Sequence, residues 1–98
     1  MSALLLFGKF TPEFWARLKN EDPQVTVTEI RRDAEAMGCR LTQFFFALDE
    51  FDFYAILESE SAKALSAVRH QLMSRGSYLR LHGDALATYA ETFPISPT

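Results

Sequence analysis

Cysteine is nearly absent from this sequence, since Cys39 is the only one among 98 residues. A single thiol cannot form an intramolecular disulfide, so we interpret Cys39 as a small buried residue. One cysteine and two histidines twelve positions apart do not supply the three or four ligands of a usual zinc site. The four glycines form no phosphate-binding loop. The sequence therefore predicts a protein with neither a metal nor another cofactor.

Excess positive charge and long apolar runs are also missing. Ten lysines and arginines stand against thirteen acidic residues, which gives a net charge of −3. Binding to nucleic acid or to an anionic membrane depends on excess positive charge, so neither partner is expected. The apolar run from Ala3 to Phe7 lacks the basic flank of a signal peptide and the length of a membrane span. We therefore expect a cytoplasmic protein.

Apolar residues are plentiful, at 48% of the chain, and 13% of the residues are aromatic. This composition and length predict one globular domain, which we place at residues 1–93, with a loose tail at 94–98. A chain of this size buries somewhat more than about 60% of its extended surface on folding. It therefore builds only a modest core, and a partner subunit is favoured.

The first half of the chain predicts a strand followed by a broken helix. An apolar run gives a strand from about Ala3 to Phe10, and Thr11, followed by a proline, caps the next helix. A polar break near Asn20 interrupts the helix, and Asp22-Pro23 gives a second cap-and-proline signal. Apolar residues then recur at helical spacing until Gly38, namely Val27, Ile30, Ala34 and Met37.

The second half predicts a hairpin, a helix and a last strand. Strands from Arg40 to Leu48 and from Asp52 to Glu58 flank a short polar turn. Ser59 or Ser61 caps a helix whose apolar stripe is Ala62, Leu65, Val68 and Leu72. The last strand runs from Tyr78 to Ala85. Alternation places two of its residues on one side, Leu79 and Leu81, and four on the other: Tyr78, Arg80, His82 and Asp84.

This order of elements predicts an α+β, ferredoxin-like βαββαβ fold. In it, a four-stranded antiparallel sheet carries two helices on one face. The other face starts uncovered. Whichever register the hairpin adopts, it places large apolar residues there: Phe44, Phe46, Tyr54 and Ile56, or their neighbours of opposite parity. Such a patch is typical of an interface or a ligand site, so we expect a homodimer formed through the open sheet face.

Two segments, LLLFGKFTPE and LDEFDFYAILES, resemble the GYD-domain family of small bacterial proteins. The first is similar to that family's G-K-[YF]-T-x-E opening, and the second to its G-x-Y-D-x-x-A-I-x-E segment. Asp49 stands where the naming glycine would be, and Phe51 replaces the tyrosine. The resemblance implies a ferredoxin-like protomer of the dimeric α/β-barrel kind. It implies no activity, because related barrels include cofactor-free monooxygenases, isomerases and ligand-binding stress proteins.

Polar residues on the third and fourth strands are the candidate site. Tyr54, Arg80 and His82 are the expected ligand contacts, and His82, Tyr54 and Asp52 are the candidate catalytic groups. Each also has a structural interpretation: His82 as an interfacial hydrogen-bonding group, and Asp52 as an acceptor for turn amides. Tyr54 and His82 are expected two strand spacings apart, roughly 9 to 10 Å, so a small ligand can bridge them but a direct hydrogen bond cannot.

Three functions remain open from the sequence. The first is a small-molecule-binding or regulatory module that takes a small apolar or aromatic ligand between the sheet and its covering helices or partner. The alternative is a cofactor-independent monooxygenase or isomerase acting on a small aromatic or carbonyl compound, with Asp52 as a supporting carboxylate. The third is a structural dimer without a pocket. An open apolar pocket with convergent polar groups favours the first two.

Overall fold

The computed structural model of the protein describes residues 1–87, which form four strands and three helices. The end of the predicted domain and the predicted tail at 94–98 lie outside these residues. None of the described helices is long and apolar enough to cross a membrane. In chain order the elements are β1 Ser2–Phe10, α1 Pro12–Asn20, α2 Val25–Ala36, β2 Arg40–Phe46, β3 Phe53–Ser59, α3 Ala62–Met73 and β4 Tyr78–Leu86.

All four strands belong to one antiparallel sheet in the order β2-β3-β1-β4. The predicted α+β class with four antiparallel strands is confirmed. The number of helices is corrected from two to three, because the break after Asn20 separates α1 from α2 completely. Two edge strands, β2 and β4, flank the central pair, so β1 contacts partners on both sides.

Side chains that alternate along β1 and β3 form the core with the helices. Leu6, Phe53 and Leu57 are fully buried on the helix side of the sheet, and Ile30 and Leu72 meet them from α2 and α3. Truncating one such side chain to alanine typically costs about 2 to 5 kcal/mol. Cys39 is buried beside this core, as expected. The helices thus cover one face of the sheet.

The N-cap hydrogen bonds predicted from the sequence are present at two of the three helices. The Thr11 hydroxyl accepts a hydrogen bond from the Phe14 amide at 3.2 Å, and the Ser61 hydroxyl accepts one from the Ala64 amide at 3.1 Å. Asp22 does not cap α2. Its carboxylate accepts the Gln24 amide at 2.9 Å in a local turn, and the helix begins only at Val25.

The predicted alternation of β4 is wrong at its first two residues. Phe10 pairs with Tyr78 and Lys9 with Arg80, so Leu79 is the extra residue of a bulge. The bulge turns Tyr78 into the core and leaves Leu79 61% exposed. Arg80, His82 and Asp84 lie on the open side, as expected.

A second irregularity fixes the parity of β2, which the sequence leaves open. Leu41 pairs with Leu57 and Gln43 with Ile56, so the strand gains one residue at Thr42. Phe44 therefore faces the helices and stacks on Phe53, with ring centroids 5.8 Å apart. Phe45 turns to the open face, where it is 59% exposed.

Candidate functional site

The open face of the sheet carries one aromatic residue from each strand in a single row. Phe45 of β2 pairs with Tyr54 of β3, Tyr54 pairs with Phe7 of β1, and Phe7 pairs with His82 of β4. We call these four residues the aromatic row. Strand alternation places them on the side opposite the core, so none of the three described helices covers them.

Ring stacking gives the middle of the row a defined geometry. Phe7 lies between Tyr54, at 5.7 Å between centroids and 18° between planes, and His82, at 5.3 Å and 28°. Phe51, from the loop before β3, meets all three rings edge-on, most closely Phe7 at 4.9 Å and 78°. Offset and edge-to-face arrangements are those that aromatic pairs prefer. These four rings, Phe7, Phe51, Tyr54 and His82, therefore form a preformed apolar cluster, in which the Tyr54 phenol and the His82 imidazole lie on opposite sides of Phe7.

The structure brings three of the predicted residues onto this face. Tyr54 and His82 both belong to the row, with Phe7 between them, so they lie two strands apart. Arg80 is exposed and pairs with Lys9, two residues along the strands from the pair of Phe7 and His82. Two cations therefore lie beside the aromatic row. A ligand that touches both Tyr54 and His82 must span Phe7.

Asp52 makes its hydrogen bonds elsewhere. One of its carboxylate oxygens accepts the Phe10 amide at 2.8 Å and the Trp15 indole N–H at 3.1 Å. These bonds tie the start of β3 to the end of β1 and to α1, and none goes to Tyr54 or His82. Asp52 therefore serves as an acceptor for a strand amide and an indole in this structure.

Phe7 and Phe51 are the members of the cluster that the sequence analysis does not single out. Phe7 has the parity of Leu5 and Lys9 in β1, which is the signal that would have placed it on the open face. Phe51 carries no such signal, because it lies in a loop where alternation does not apply. Its position depends on contacts with Phe7, which is 44 residues earlier in the chain.

The far end of the open face is hollow. An open depression of about 380 Å³ lies there, bordered by Ala3, Ile56, Glu58 and Leu86. This half of the face contains two acidic residues: Asp84, which pairs with Leu5 of β1, and Glu58, which pairs with Ala3. Within residues 1–87, no three His, Cys, Asp or Glu side chains are grouped as metal ligands. A cofactor-free protein stays a prediction.

Comparison with known proteins identifies the family. The model of the GYD domain matches residues 4–82, which is most of the chain. The chain belongs to the GYD-domain family. A search of curated proteins gives no match. Among solved structures, a structural-genomics crystal structure of a protein from Agrobacterium tumefaciens is similar, with a TM-score of 0.51 and 14% identity over 89% of this chain and 92% of that one. At this identity the similarity concerns the fold alone.

The structure gives physical reasons for three residues of the segment from Gly8 to Glu13, which resembles the opening of the family. Gly8 lies so close to the paired strand that a Cβ atom would collide with the carbonyl oxygen of Arg80. Thr11 caps α1, and Pro12 occupies a position where a missing N–H costs nothing. All four row residues lie within the GYD match, so the aromatic row belongs to the matched domain.

Proposed function

We propose that this GYD domain is a small-molecule-binding or regulatory module that acts as a homodimer. Its two ferredoxin-like protomers pair over their open faces as a dimeric α/β barrel. The observation that carries the proposal is the aromatic row, an apolar surface that no element of residues 1–87 covers apart from the edge of Phe51. A large apolar patch on a small protein is typical of an interface or a ligand site.

The ferredoxin-like assignment is supported by the sheet order β2-β3-β1-β4. If α1 and α2 count as one broken crossover, the chain reads βαββαβ. Both crossovers then lie on the same side of the sheet, which is the arrangement of that fold. The fold leaves the opposite face free for a second sheet.

The size of the open face fits a second copy. Strands seven to nine residues long, spaced about 4.8 Å apart with about 3.3 Å per residue, give a flat area on the order of 500 Å². Side chains standing above the sheet enlarge this toward the roughly 800 Å² that each partner contributes to a standard interface.

The charged residues of the open face also support a second copy of the chain as the partner. Lys9 and Arg80 lie at one end of the open face, and Asp84 lies in the other half. Glu58 lies there too, but it forms an ion pair with Arg40 of the same protomer at 3.5 Å. A two-fold axis running across the strands brings Lys9 and Arg80 of one protomer toward the partner's Asp84, so the charge complementarity rests on Asp84.

The ligand in this proposal is a small apolar or aromatic compound held at the edge of the row. Tyr54 and His82 supply hydrogen-bonding groups on either side of Phe7, and Arg80 supplies a cation next to them. Mostly apolar walls with a few directed polar groups are typical of small-molecule sites. A monooxygenase or isomerase has less support, because His82 has no side-chain hydrogen bond within residues 1–87 that would orient it as a base.

The test combines ligand discovery with one substitution. Mass spectrometry of the purified protein identifies a co-purified compound, and that compound is titrated into wild type and His82→Ala. We expect binding to weaken about tenfold or more, which is about 1.4 kcal/mol, with little change in the melting temperature. His70→Ala is the matched control, since His70 is exposed on α3 and bonds only the Ser66 carbonyl oxygen.

Two other outcomes separate the roles of His82. If it is an interfacial group, His82→Ala instead lowers dimer stability by about 1 to 3 kcal/mol, seen as a melting temperature below that of wild type at the same protein concentration. If the variant matches wild type in both assays, His82 takes no part in ligand binding or pairing, and the proposed site is wrong.

A further inference from the structure

A second surface feature lies where α1 meets the end of the sheet. It is an open groove of about 610 Å³ that contains no member of the aromatic row. We call it the Trp15 groove. Its volume falls within the roughly 300 to 1,000 Å³ typical of small-molecule sites. The residues that matter for its chemistry are Phe10, Trp15, Leu79, Lys9, Lys19 and Asp52.

Trp15 is held in one orientation at the wall of this groove. α1 buries Phe14 and Leu18 in the core, which leaves Trp15 half-buried at the side of the helix. Its indole N–H donates to the Asp52 carboxylate at 3.1 Å, and its ring meets Phe10 edge-on at 5.2 Å. An aromatic wall fixed in this way binds a flat molecule at a low entropic cost.

Leu79 supplies further apolar surface to the groove. It is the extra residue of the β4 bulge, and the bulge turns its side chain out of the core to 61% exposure. Bulges re-aim side chains at binding sites. The strand thus places an exposed leucine on the groove that carries the half-buried tryptophan.

The charges in the groove favour an anion. Lys9 and Lys19 line it, and Asp52 is the one carboxylate among its lining residues in the described part of the chain. One Asp52 oxygen already accepts two hydrogen bonds. The Lys19 ammonium lies 5.7 Å from the centre of the Trp15 ring, and the Lys9 ammonium donates to the Glu50 carbonyl oxygen at 2.8 Å. Each ammonium retains further N–H groups for a ligand.

We propose that the Trp15 groove binds a small aromatic molecule that carries one carboxylate. The ring of the ligand packs against Trp15 and Leu79, and its carboxylate lies between Lys9 and Lys19. The groove includes none of the row residues, although it shares Lys9 with the end of the open face. One protomer alone forms it, so the site does not require pairing over that face.

The experiment uses the only tryptophan of the chain as its reporter. Benzoate and its neutral isostere benzamide are titrated into ¹⁵N-labelled protein, and the indole N–H resonance of Trp15 is followed. We expect a saturable shift with benzoate and markedly weaker binding of benzamide. Lys19→Met and Lys9→Met should each weaken benzoate binding about threefold, the size of a partly exposed charge pair, without affecting benzamide.

Lys63→Met is the matched control, because Lys63 is an exposed lysine on α3 that does not line the groove. Ile56→Glu, which disrupts the open face, should bind benzoate like wild type, so failure of the dimer leaves this test intact. The proposal is overturned if benzoate gives no saturable shift at Trp15. It is also overturned if benzamide binds equally well, if Lys63→Met weakens binding as much as Lys19→Met, or if binding is lost in Ile56→Glu.

Discussion

Tyr78 shows how one bulge changes the chemistry of a single residue. It is 7% exposed, and its hydroxyl has no hydrogen-bond partner in the part of the chain that the structure describes. Burial raises the pKa of the phenol, and the nearby carboxylates of Glu29 and Asp33 raise it further. The Arg75 guanidinium opposes this, but it is already paired with Asp33, at 2.7 Å from Nε to the carboxylate. Tyr78 therefore stays protonated in the folded protein.

This shift predicts a loss of stability at alkaline pH. A tyrosine in the unfolded chain ionises at about pH 10, whereas the pKa of Tyr78 in the folded protein is higher. The stability that Tyr78 contributes to the folded state is therefore fully present below that pH and is lost as the pH rises above it. The free energy of unfolding should fall by up to about 1.4 kcal/mol per pH unit there. Urea unfolding across the alkaline range measures the slope.

Tyr78→Phe should flatten that slope and leave stability at neutral pH unchanged or slightly higher, because it removes an unpaired buried hydroxyl. Tyr54→Phe is the control, since it removes a phenol from the open face and should retain the alkaline loss. Equal slopes for wild type and Tyr78→Phe would show that another group causes the loss.

For single residues, the sequence predicts well the hydrogen bonds between residues that are close in the chain. Thr11 and Ser61 each bond an amide three residues ahead; the Thr11 cap is predicted correctly, and Ser61 is one of the two candidates that the sequence offers for α3. The carboxylate of Asp52 bonds Trp15 and Phe10, which are 37 and 42 residues away. A partner at that separation depends on the whole sheet being assembled. No pattern around Asp52 indicates it.

Among the elements, β1 depends most on a single small residue. A Cβ atom at Gly8 would meet the backbone of Arg80 in β4, which cannot move without breaking the strand pair. At Gly83 an added Cβ meets Arg69 Cδ at 3.1 Å and Leu4 Cδ1 at 3.3 Å, and both belong to side chains that can shift.

Gly8→Ala should therefore lower the free energy of unfolding by at least about 2 kcal/mol, and Gly83→Ala by about 1 kcal/mol or less. Urea denaturation of the two variants beside wild type measures both values. Equal losses at the two positions would contradict the close approach of β1 and β4 at Gly8.

Strands with regular alternation are also the ones that the sequence predicts correctly. The alternation of β3 is regular, and the structure shows that its buried side is Phe53, Ala55 and Leu57, a choice that the sequence leaves open. The alternation fails in β4, and it is ambiguous in β2, because each strand contains an extra residue. A bulge is defined by the partner strand, so the pattern of one strand alone does not indicate it. The Trp15 groove depends on the β4 bulge and is therefore beyond sequence reasoning.

For the whole molecule, the order of strands and helices predicts that helices cover one face of the sheet and leave the other open, but not which residues lie on each face. Buried residues on β1 and β3 meet three helices on one side, and the aromatic row lies on the other. The bulge at Thr42 settles which phenylalanines of β2 face each side. Phe45 lies on the open face, whereas Phe46 shares the side of Phe44 and meets it edge-on at 5.0 Å.

This difference supplies a matched pair of substitutions for the predicted homodimer. Ile56 lies on the open face next to the aromatic row, so Ile56→Glu should place a charge in the interface and separate the protomers. Phe46 is 41% exposed on the other side, so Phe46→Glu should introduce the same charge and leave the dimer intact.

Light scattering coupled to size exclusion, at micromolar protein concentration, measures the mass directly. We expect twice the chain mass of 11.2 kDa for wild type and for Phe46→Glu, and the mass of a single chain for Ile56→Glu. A wild-type mass of 11.2 kDa at every concentration, or a dimer that persists in Ile56→Glu, would contradict pairing over the open face.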